Sequence, residues 1–97
     1  MDGYGNERKN EIMSKRRGED YSFDKTLGAT LKELREGKSL TMQDVAEKLG
    51  VSKMTVSRWE SGEIRMYAVS LRDYCYCLDM TLPEFINELS KRTNGNI

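Results

Sequence analysis

Apolar residues recur with the spacing of amphipathic helices from residue 24 to residue 89, and turn residues divide this pattern into five segments. In the first segment Leu27, Leu31 and Leu34 follow one another at i, i+4 and i+7, and Asp24 is placed to cap the helix. The whole pattern predicts an all-α fold of five helices without a sheet. A single core is expected to contain Leu31, Leu34, Val45, Leu49, Val56, Trp59, Leu71, Tyr74 and Leu78.

The two central segments, between Thr41 and Gly62, contain the strongest local signals in the chain. Thr41 and Asp44 have the spacing of a capping box. In such a box the hydroxyl accepts a hydrogen bond from a first-turn amide and the carboxylate accepts one from the amide of the cap residue. Gly50 supplies a left-handed residue to end the first helix, and Ser52 caps the second. Two helices joined by so short a turn are predicted to form a helix-turn-helix.

The second of these helices turns Val56 and Trp59 inward, so its polar side chains lie on the opposite face. An α-helix fits the major groove of B-DNA, and its N-terminal residues reach base edges. Lysine and arginine can donate to guanine, serine can bond a base or a phosphate, and methionine can contact a thymine methyl. A solvated helix face is the alternative, because this motif also occurs in proteins that never touch DNA. The candidate base-reading residues are Lys53, Met54, Ser57 and Arg58.

From Leu27 to Leu89 the chain resembles the XRE (Cro/cI-type) helix-turn-helix domain of phage and bacterial repressors. The segments that carry the resemblance are LGATLKELREGKSLT, DVAEKLGVS, TVSRWESG and LDMTLPEFINEL. The resemblance implies a five-helix, lambda-repressor-like domain that binds double-stranded DNA, with base reading at the same four positions. It also implies a structural pair between Arg35 and Glu60. Its phosphate-contacting positions fall on Thr41, Ser52 and Ser61, and the predicted phosphate set is completed by Gln43, Thr55 and Arg65.

Three residues depart from the family pattern. Met42 stands where the family usually has a glutamine that contacts a phosphate, and a thioether cannot donate that hydrogen bond. The contact is therefore lost or moves, and Gln43 is the next candidate. Glu63 stands where a basic residue is common, and it is expected to point away because a carboxylate would be repelled by the DNA backbone. Met66 replaces a frequent proline.

The chain has 97 residues with 16 Lys and Arg against 16 Asp and Glu, so its net charge is zero. That balance is not typical of a nonspecific nucleic-acid binder. Positive charge therefore has to be segregated onto one face, and affinity has to depend on base contacts and dimerisation. The chain contains no histidine and no recognisable nucleophile–base pair, which argues against an enzyme and against a zinc site. No catalytic residue, metal or cofactor is predicted.

The two cysteines, Cys75 and Cys77, lie two residues apart on one predicted helix, where their side chains point to different sides. No disulfide between them is expected. Cys75 is predicted to lie in the core and Cys77 to be more exposed. The sequence shows no apolar signal-peptide core and no run of eighteen apolar residues, so the chain is expected to be cytoplasmic and without a membrane segment.

The predicted domain occupies residues 23–90, between a polar extension of residues 1–22 and a tail of residues 91–97. The extension is expected to be flexible and disordered, because its few apolar residues show no periodicity. Two alternatives stay open for it. The cluster Lys15–Arg17 could form a basic arm on the DNA, or a short helix over residues 11–17 could pack on a partner subunit.

The fifth predicted helix carries more apolar residues than one short helix can easily bury, so Phe85, Ile86 and Leu89 are predicted to form a two-fold homodimer interface.

The favoured function is a sequence-specific DNA-binding transcriptional regulator, acting as a repressor dimer on a palindromic operator. One alternative is an antitoxin that autoregulates through this domain and grips a toxin, as protein partner, through the N-terminal extension. The other is a protein-interaction module that has lost DNA binding, which Met42, Glu63 and the zero net charge favour.

Overall fold

The computed structural model describes residues 18–93, with side chains from residue 22 onward. Within that range it contains five α-helices and no strand, which confirms the predicted all-α fold. The helices are α1 (Gly18–Gly37), α2 (Met42–Leu49), α3 (Lys53–Ser61), α4 (Ala68–Cys77) and α5 (Leu82–Arg92).

The core lies where α1 packs against α3 and α5, and where α2 packs against α3 and α4. Leu34, Leu49 and Leu71 are only partly buried and pack against the outside of this core. The other predicted core residues are buried, and Ala46, Cys75, Phe85 and Leu89 join them. The buried hydrophobic residues are Leu31, Val45, Ala46, Val56, Trp59, Tyr74, Cys75, Leu78, Phe85 and Leu89.

Local capping determines where α2 and α5 begin and where α2 ends. The Thr41 hydroxyl accepts from the Asp44 amide at 3.0 Å, and the Thr41 amide donates to the Asp44 carboxylate at 2.8 Å. Thr81 and Glu84 form a second capping box at the start of α5. Gly50 ends α2 in the left-handed conformation, with a φ of 70°. The predicted capping box of Thr41 and Asp44 and the predicted C-cap at Gly50 are confirmed, because each depends only on residues close together in the sequence.

Helices α1 and α3 cross in close contact at Gly28. A β-carbon on Gly28 would lie 2.4 Å from the Trp59 carbonyl oxygen and 2.5 Å from the Glu60 carbonyl oxygen. Glycine fits between the two backbones because it has no β-carbon. This crossing holds the C-terminal part of α3 against α1.

The turn between α1 and α2 and the turn between α4 and α5 share one backbone conformation. Ser39 and Asp79 occupy equivalent places in the two turns, each with a φ of 59°. The next residue in each turn donates its amide to the carbonyl five residues earlier, at 3.2 Å for Leu40 and 3.0 Å for Met80. A left-handed φ is unfavourable for a residue with a β-carbon, so each turn is strained at one position.

Ser39→Gly is expected to stabilise the domain by about 0.5–1 kcal/mol, because glycine adopts the left-handed conformation without a β-carbon penalty. A rise of about 2–6 °C in melting temperature, followed by circular dichroism, would show this gain. Lys38→Gly is the matched control: Lys38 lies in the same turn without a left-handed φ, so its replacement should lower stability. A Ser39→Gly protein no more stable than wild type would show that the turn is not strained.

Helix α1 begins earlier than the sequence predicted. It starts at Gly18, so the predicted boundary between residues 22 and 23 lies inside a helix. Asp24, the expected cap, lies within the helix and accepts a hydrogen bond from Arg65 at 3.2 Å. Residues 19–27 contain no glycine or proline, so no helix-breaking residue separates Gly18 from the predicted helix. Residues 1–17, with the basic cluster and its alternatives, lie outside the described residues.

Helix α5 ends later than predicted, at Arg92, so residues 91 and 92 belong to the helix and not to the tail. Arg92 Nε donates to the carboxylate of Glu33 on α1 at 3.0 Å, and Arg92 Nη1 donates to the Glu88 carbonyl at 2.9 Å. A cation in the last turn also interacts favourably with the helix dipole. These contacts extend the helix, while residues 94–97 lie outside the described part of the chain.

The predicted dimer interface on α5 is wrong for two of its three residues. Phe85 is 0% exposed and Leu89 is 1% exposed, because both lie in the core of the single domain. Ile86 is 41% exposed and stays on the surface. The apolar residues of α5 are therefore mostly buried by α1 and α4 of the same chain, and they give no evidence for a second subunit.

Candidate nucleic-acid interface

Helix α3 presents the four predicted base-reading residues on its outer face. Lys53, Met54, Ser57 and Arg58 are all exposed, while the opposite face of the helix lies in the core. Lys53 and Ser57 are four residues apart, as are Met54 and Arg58, and residues at that spacing are neighbours on a helix surface. The structure therefore brings the four side chains together on one face.

Hydroxyl residues lie at the N-termini of α2 and α3. Ser52 Oγ accepts from the Thr55 amide at 3.0 Å and lies 2.9 Å from Thr55 Oγ1. Thr41 caps α2 in the same way. A helix N-terminus combines amide donors with partial positive charge, and both attract phosphate oxygens. Thr41, Ser52 and Thr55 are thus placed where a phosphate contact is physically reasonable.

Met42 and Gln43 occupy different environments on α2. Met42 is half-buried and packs against the core, so the departure from the family pattern serves packing. Gln43 is exposed, and its side-chain amide donates to the Glu47 carboxylate at 3.1 Å. A glutamine amide has two N–H donors, so this bond leaves one for the predicted phosphate contact.

Ser61 and Arg65 lie at the other end of α3. The Ser61 hydroxyl donates to the Arg58 carbonyl at 3.2 Å, and Arg65 Nε donates to Asp24 on α1, also at 3.2 Å. The predicted phosphate residues therefore fall into two groups. One group lies at the N-termini of α2 and α3, and the other lies at the C-terminus of α3.

Glu63 was expected to point away from this face, but it does not. Its Oε1 atom lies 3.9 Å from Arg58 Nε. The amides of Glu63 and Ile64 both donate to the Arg58 carbonyl, at 3.0 Å and 3.4 Å, so the chain after α3 folds back over the end of the helix. An acidic side chain therefore lies beside the predicted base-reading arginine.

A buried ion pair holds α3 from its inner side. Arg35 donates from Nε to Glu60 Oε2 at 2.7 Å and from Nη2 to Glu60 Oε1 at 3.1 Å, so the structure contains the pair implied by the resemblance. Arg35 Nη1 also donates to the Leu40 carbonyl at 2.7 Å. Both charged side chains are nearly fully buried. A two-point arginine–carboxylate contact is geometrically specific, so it fixes α3 relative to α1 and the turn that follows α1.

Tyr74 on α4 completes this cluster, although the sequence predicted only a core position for it. Its hydroxyl donates to Glu60 Oε2. Burial, with the hydrogen bond to Glu60, raises the pKa of Tyr74 far above its usual value, and the hydrogen bond from Arg35 to Glu60 raises the pKa of Arg35. The sequence held one signal for this contact, because a tyrosine on an inward helix face needs a hydrogen-bond partner for its hydroxyl.

Cys75 and Cys77 are free thiols, as the sequence predicted, with Cys75 buried and Cys77 at intermediate exposure. Burial raises the pKa of Cys75 to about 11, so the thiol stays protonated at neutral pH. Between residues 18 and 93, no group of three or more His, Cys, Asp and Glu side chains could hold a metal ion. Among the helices of the same range, none is long and apolar enough to cross a bilayer.

The arrangement of α2, the short turn and α3 matches a known family. A family model described as Helix-turn-helix matches residues 31–66, which include both helices and the end of α1. Residues 31–66 thus match the XRE-type helix-turn-helix. In this helix-turn-helix, α3 is the second helix, and the Arg35–Glu60 pair ties it to the helix that precedes the motif.

Two curated relatives share the helix-turn-helix. The chain is 37% identical over 57 residues to the HTH-type transcriptional activator BcrR of Enterococcus faecalis. It is 42% identical over 45 residues to a protein of Methanoregula boonei described as an HTH-type transcriptional regulatory protein. The matched residues are 59% and 46% of this chain but only 28% and 14% of those proteins, so the similarity concerns a small part of each relative.

The similarity to solved structures extends beyond the helix-turn-helix. A crystal structure of the clp gene regulator ClgR from Corynebacterium glutamicum superposes with a TM-score of 0.70 at 25% identity, over 74% of this chain and 77% of that one. A second ClgR structure gives a TM-score of 0.67 at 26% identity, over 71% of this chain and 88% of that one. The helices around the helix-turn-helix are thus arranged as in a solved regulator.

Proposed function

We propose that this chain is a sequence-specific double-stranded DNA-binding regulator of transcription that reads bases with α3. The observation that carries the proposal is the outer face of α3, where the four side chains from Lys53 to Arg58 are exposed together. The inner face of the same helix is fixed by the Arg35–Glu60 pair. The relatives, which are described as regulators, support the proposal. Recognition of this kind requires no catalytic residue and no cofactor.

Backbone contacts position α3 in the major groove in this proposal. The hydroxyls at the N-termini of α2 and α3, with Gln43, contact phosphates on one side, and Ser61 and Arg65 contact them on the other. Phosphate contacts fix the register of a protein on DNA but carry no sequence information. Sequence is read by Lys53 and Arg58, which donate to guanine O6 and N7, and by Met54, which contacts a thymine methyl.

Two copies bind a palindromic operator as a symmetric dimer in this proposal, and occupancy of the operator represses transcription. The net charge of zero supports dimerisation, because one domain gains little general attraction to DNA and a second copy doubles the base contacts. Ile86 is the one exposed member of the predicted interface. Sedimentation on and off the DNA tests the dimer. Because BcrR is described as an activator, a promoter reporter is needed to test repression.

Arg58→Ala is expected to weaken binding to the specific duplex by about 1–3 kcal/mol and to relax discrimination at one base pair. The specific duplex is obtained by selecting bound sites from random duplex DNA with the wild-type protein. Titrations then compare that duplex with a scrambled duplex at two salt concentrations. If Arg58→Ala weakens both duplexes equally, Arg58 contacts the backbone and does not read a base.

Arg65→Ala is the matched control, because it also removes one exposed arginine, but in the loop four residues beyond the end of α3. It is expected to weaken binding to both duplexes alike and to flatten the salt dependence. If the wild-type protein shows no preference for any selected duplex, the proposed function is wrong.

A protein-interaction module is the second candidate, and the exposed apolar residues near α3 favour it. In the described part of the chain, seven large hydrophobic residues are exposed, and four of them lie between residues 54 and 69: Met54, Ile64, Tyr67 and Val69. Large apolar side chains exposed along one stretch of chain can contribute to a surface that binds another protein. This candidate replaces DNA reading if selection recovers no preferred duplex. The antitoxin alternative depends on a partner contact by the extension, whose residues 1–17 lie outside the described range.

A further inference from the structure

We propose that Glu63 determines how strongly this protein discriminates between specific and non-specific DNA, by offsetting part of the positive charge with which Arg58 attracts the phosphate backbone. The proposal rests on the DNA-reading function proposed above. Glu63 is the second residue after α3, and Arg58 is the one arginine within α3. Their contact places a negative charge at the edge of the face that reads bases.

The backbone holds Glu63 in this position. Gly62 turns the chain at the end of α3 with a φ of 79°, and a β-carbon on Gly62 would lie 2.9 Å from backbone atoms of Lys25 on α1. The Glu63 amide then donates to the Arg58 carbonyl at 3.0 Å. Glu63 is therefore anchored to the same residue whose side chain it faces. The backbone contact brings the two side chains to the same end of α3, where their charged groups lie 3.9 Å apart.

The contact between the two side chains is an ion pair without a hydrogen bond. Glu63 Oε1 lies 3.9 Å from Arg58 Nε, with side-chain exposures of 69% and 51%. That separation is too long for a hydrogen bond. The pair therefore offsets part of the charge of Arg58 while leaving its N–H donors for a guanine.

The two kinds of DNA complex respond differently to such a pair. Non-specific binding depends almost entirely on neutralising phosphates, so a carboxylate beside the cation weakens it directly. In the specific complex Arg58 also donates directional hydrogen bonds to a base, which do not depend on its net charge alone, so the neighbouring carboxylate weakens that complex less. Glu63 thus lowers non-specific affinity more than specific affinity, and it raises the ratio between them.

Glu63→Gln is expected to raise affinity for the scrambled duplex about two- to fivefold, the range set by the strength of an exposed ion pair. Affinity for the selected duplex should change by less than about twofold, so the specificity ratio falls. Glu33→Gln is the matched control. Glu33 is exposed on α1, and its ion pair is with Arg92 on α5 and not with a residue of the helix-turn-helix. This variant makes the same charge change and should leave the specificity ratio as it is in wild type.

The same substitution in the Arg58→Ala background tests whether Glu63 acts through Arg58. There Glu63→Gln should no longer change the specificity ratio, because the cation whose charge it offsets is gone. A ratio that Glu63→Gln leaves unchanged in the wild-type background overturns the proposal. A ratio that changes equally with and without Arg58 overturns it as well. Failure of the underlying DNA-reading function is distinguishable, because the wild-type protein would then show no preference for any selected duplex.

Discussion

Gly28→Ala is expected to destabilise the domain by about 3 kcal/mol, at the upper end of the usual cost of overpacking. The new β-carbon would lie 2.4 Å and 2.5 Å from carbonyl oxygens of Trp59 and Glu60. These are backbone atoms that cannot rotate away, so α1 and α3 have to separate. The higher helix propensity of alanine, about 1 kcal/mol, offsets only part of this cost. Urea unfolding followed by circular dichroism measures the change.

The displacement of α3 gives Gly28→Ala a second expected effect. The base-reading face moves with the helix, so the folded fraction of the variant should bind the selected duplex more weakly than wild type. Gly37→Ala is the matched control, because a β-carbon on Gly37 meets no atom within 4 Å. Its stability should be unchanged or raised by up to about 1 kcal/mol. If Gly28→Ala is as stable as wild type, the two helices do not cross at this distance.

The parts of the fold that the sequence predicted well depend on neighbouring residues. The capping box of Thr41 and Asp44 and the left-handed Gly50 each involve one turn of helix, so local chemistry decides them. The outer face of α3 was equally predictable, because the helical period places Val56 and Trp59 inward and the polar residues outward. The resemblance added the Arg35–Glu60 pair, which joins two helices that no local pattern connects.

The parts that sequence reasoning missed depend on packing between distant segments. The sequence shows that Phe85 and Leu89 are apolar, but it does not show whether their own chain or a second chain covers them. The sequence around Asp24 predicts a helix cap, but in the structure Asp24 instead accepts a hydrogen bond from Arg65, which lies on a loop far along the sequence. Glu63 faces Arg58 because Gly62 turns the chain back over α3, and side-chain chemistry alone gives no sign of that reversal.

Removing one charge of the buried cluster is expected to cost more than removing both. Arg35→Met leaves Glu60 buried without its cation and should cost about 3–5 kcal/mol. Glu60→Gln leaves Arg35 buried without its carboxylate and should cost a similar amount. The double variant leaves a neutral pair, and the amide oxygen that replaces the carboxylate can still accept from the Tyr74 hydroxyl, so its loss should be smaller than that of either single variant. Two losses that simply add in a double-mutant cycle would show that the charges do not interact.

Tyr74→Phe tests the third member of this cluster and is expected to cost about 1.5–3 kcal/mol, because the lost hydrogen bond goes to a charged group. Tyr76→Phe is the matched control on the same helix, since Tyr76 is exposed and its substitution should change stability little.

The pKa of Tyr74 is raised in the folded state, so the contribution of its hydroxyl to stability is fully present below about pH 10, the ordinary pKa of an unfolded tyrosine, and is lost as pH rises further. The free energy of unfolding should therefore fall less steeply with pH above about pH 10 in Tyr74→Phe than in Tyr76→Phe. Equal slopes would mean that the Tyr74 hydroxyl titrates normally and does not hold Glu60.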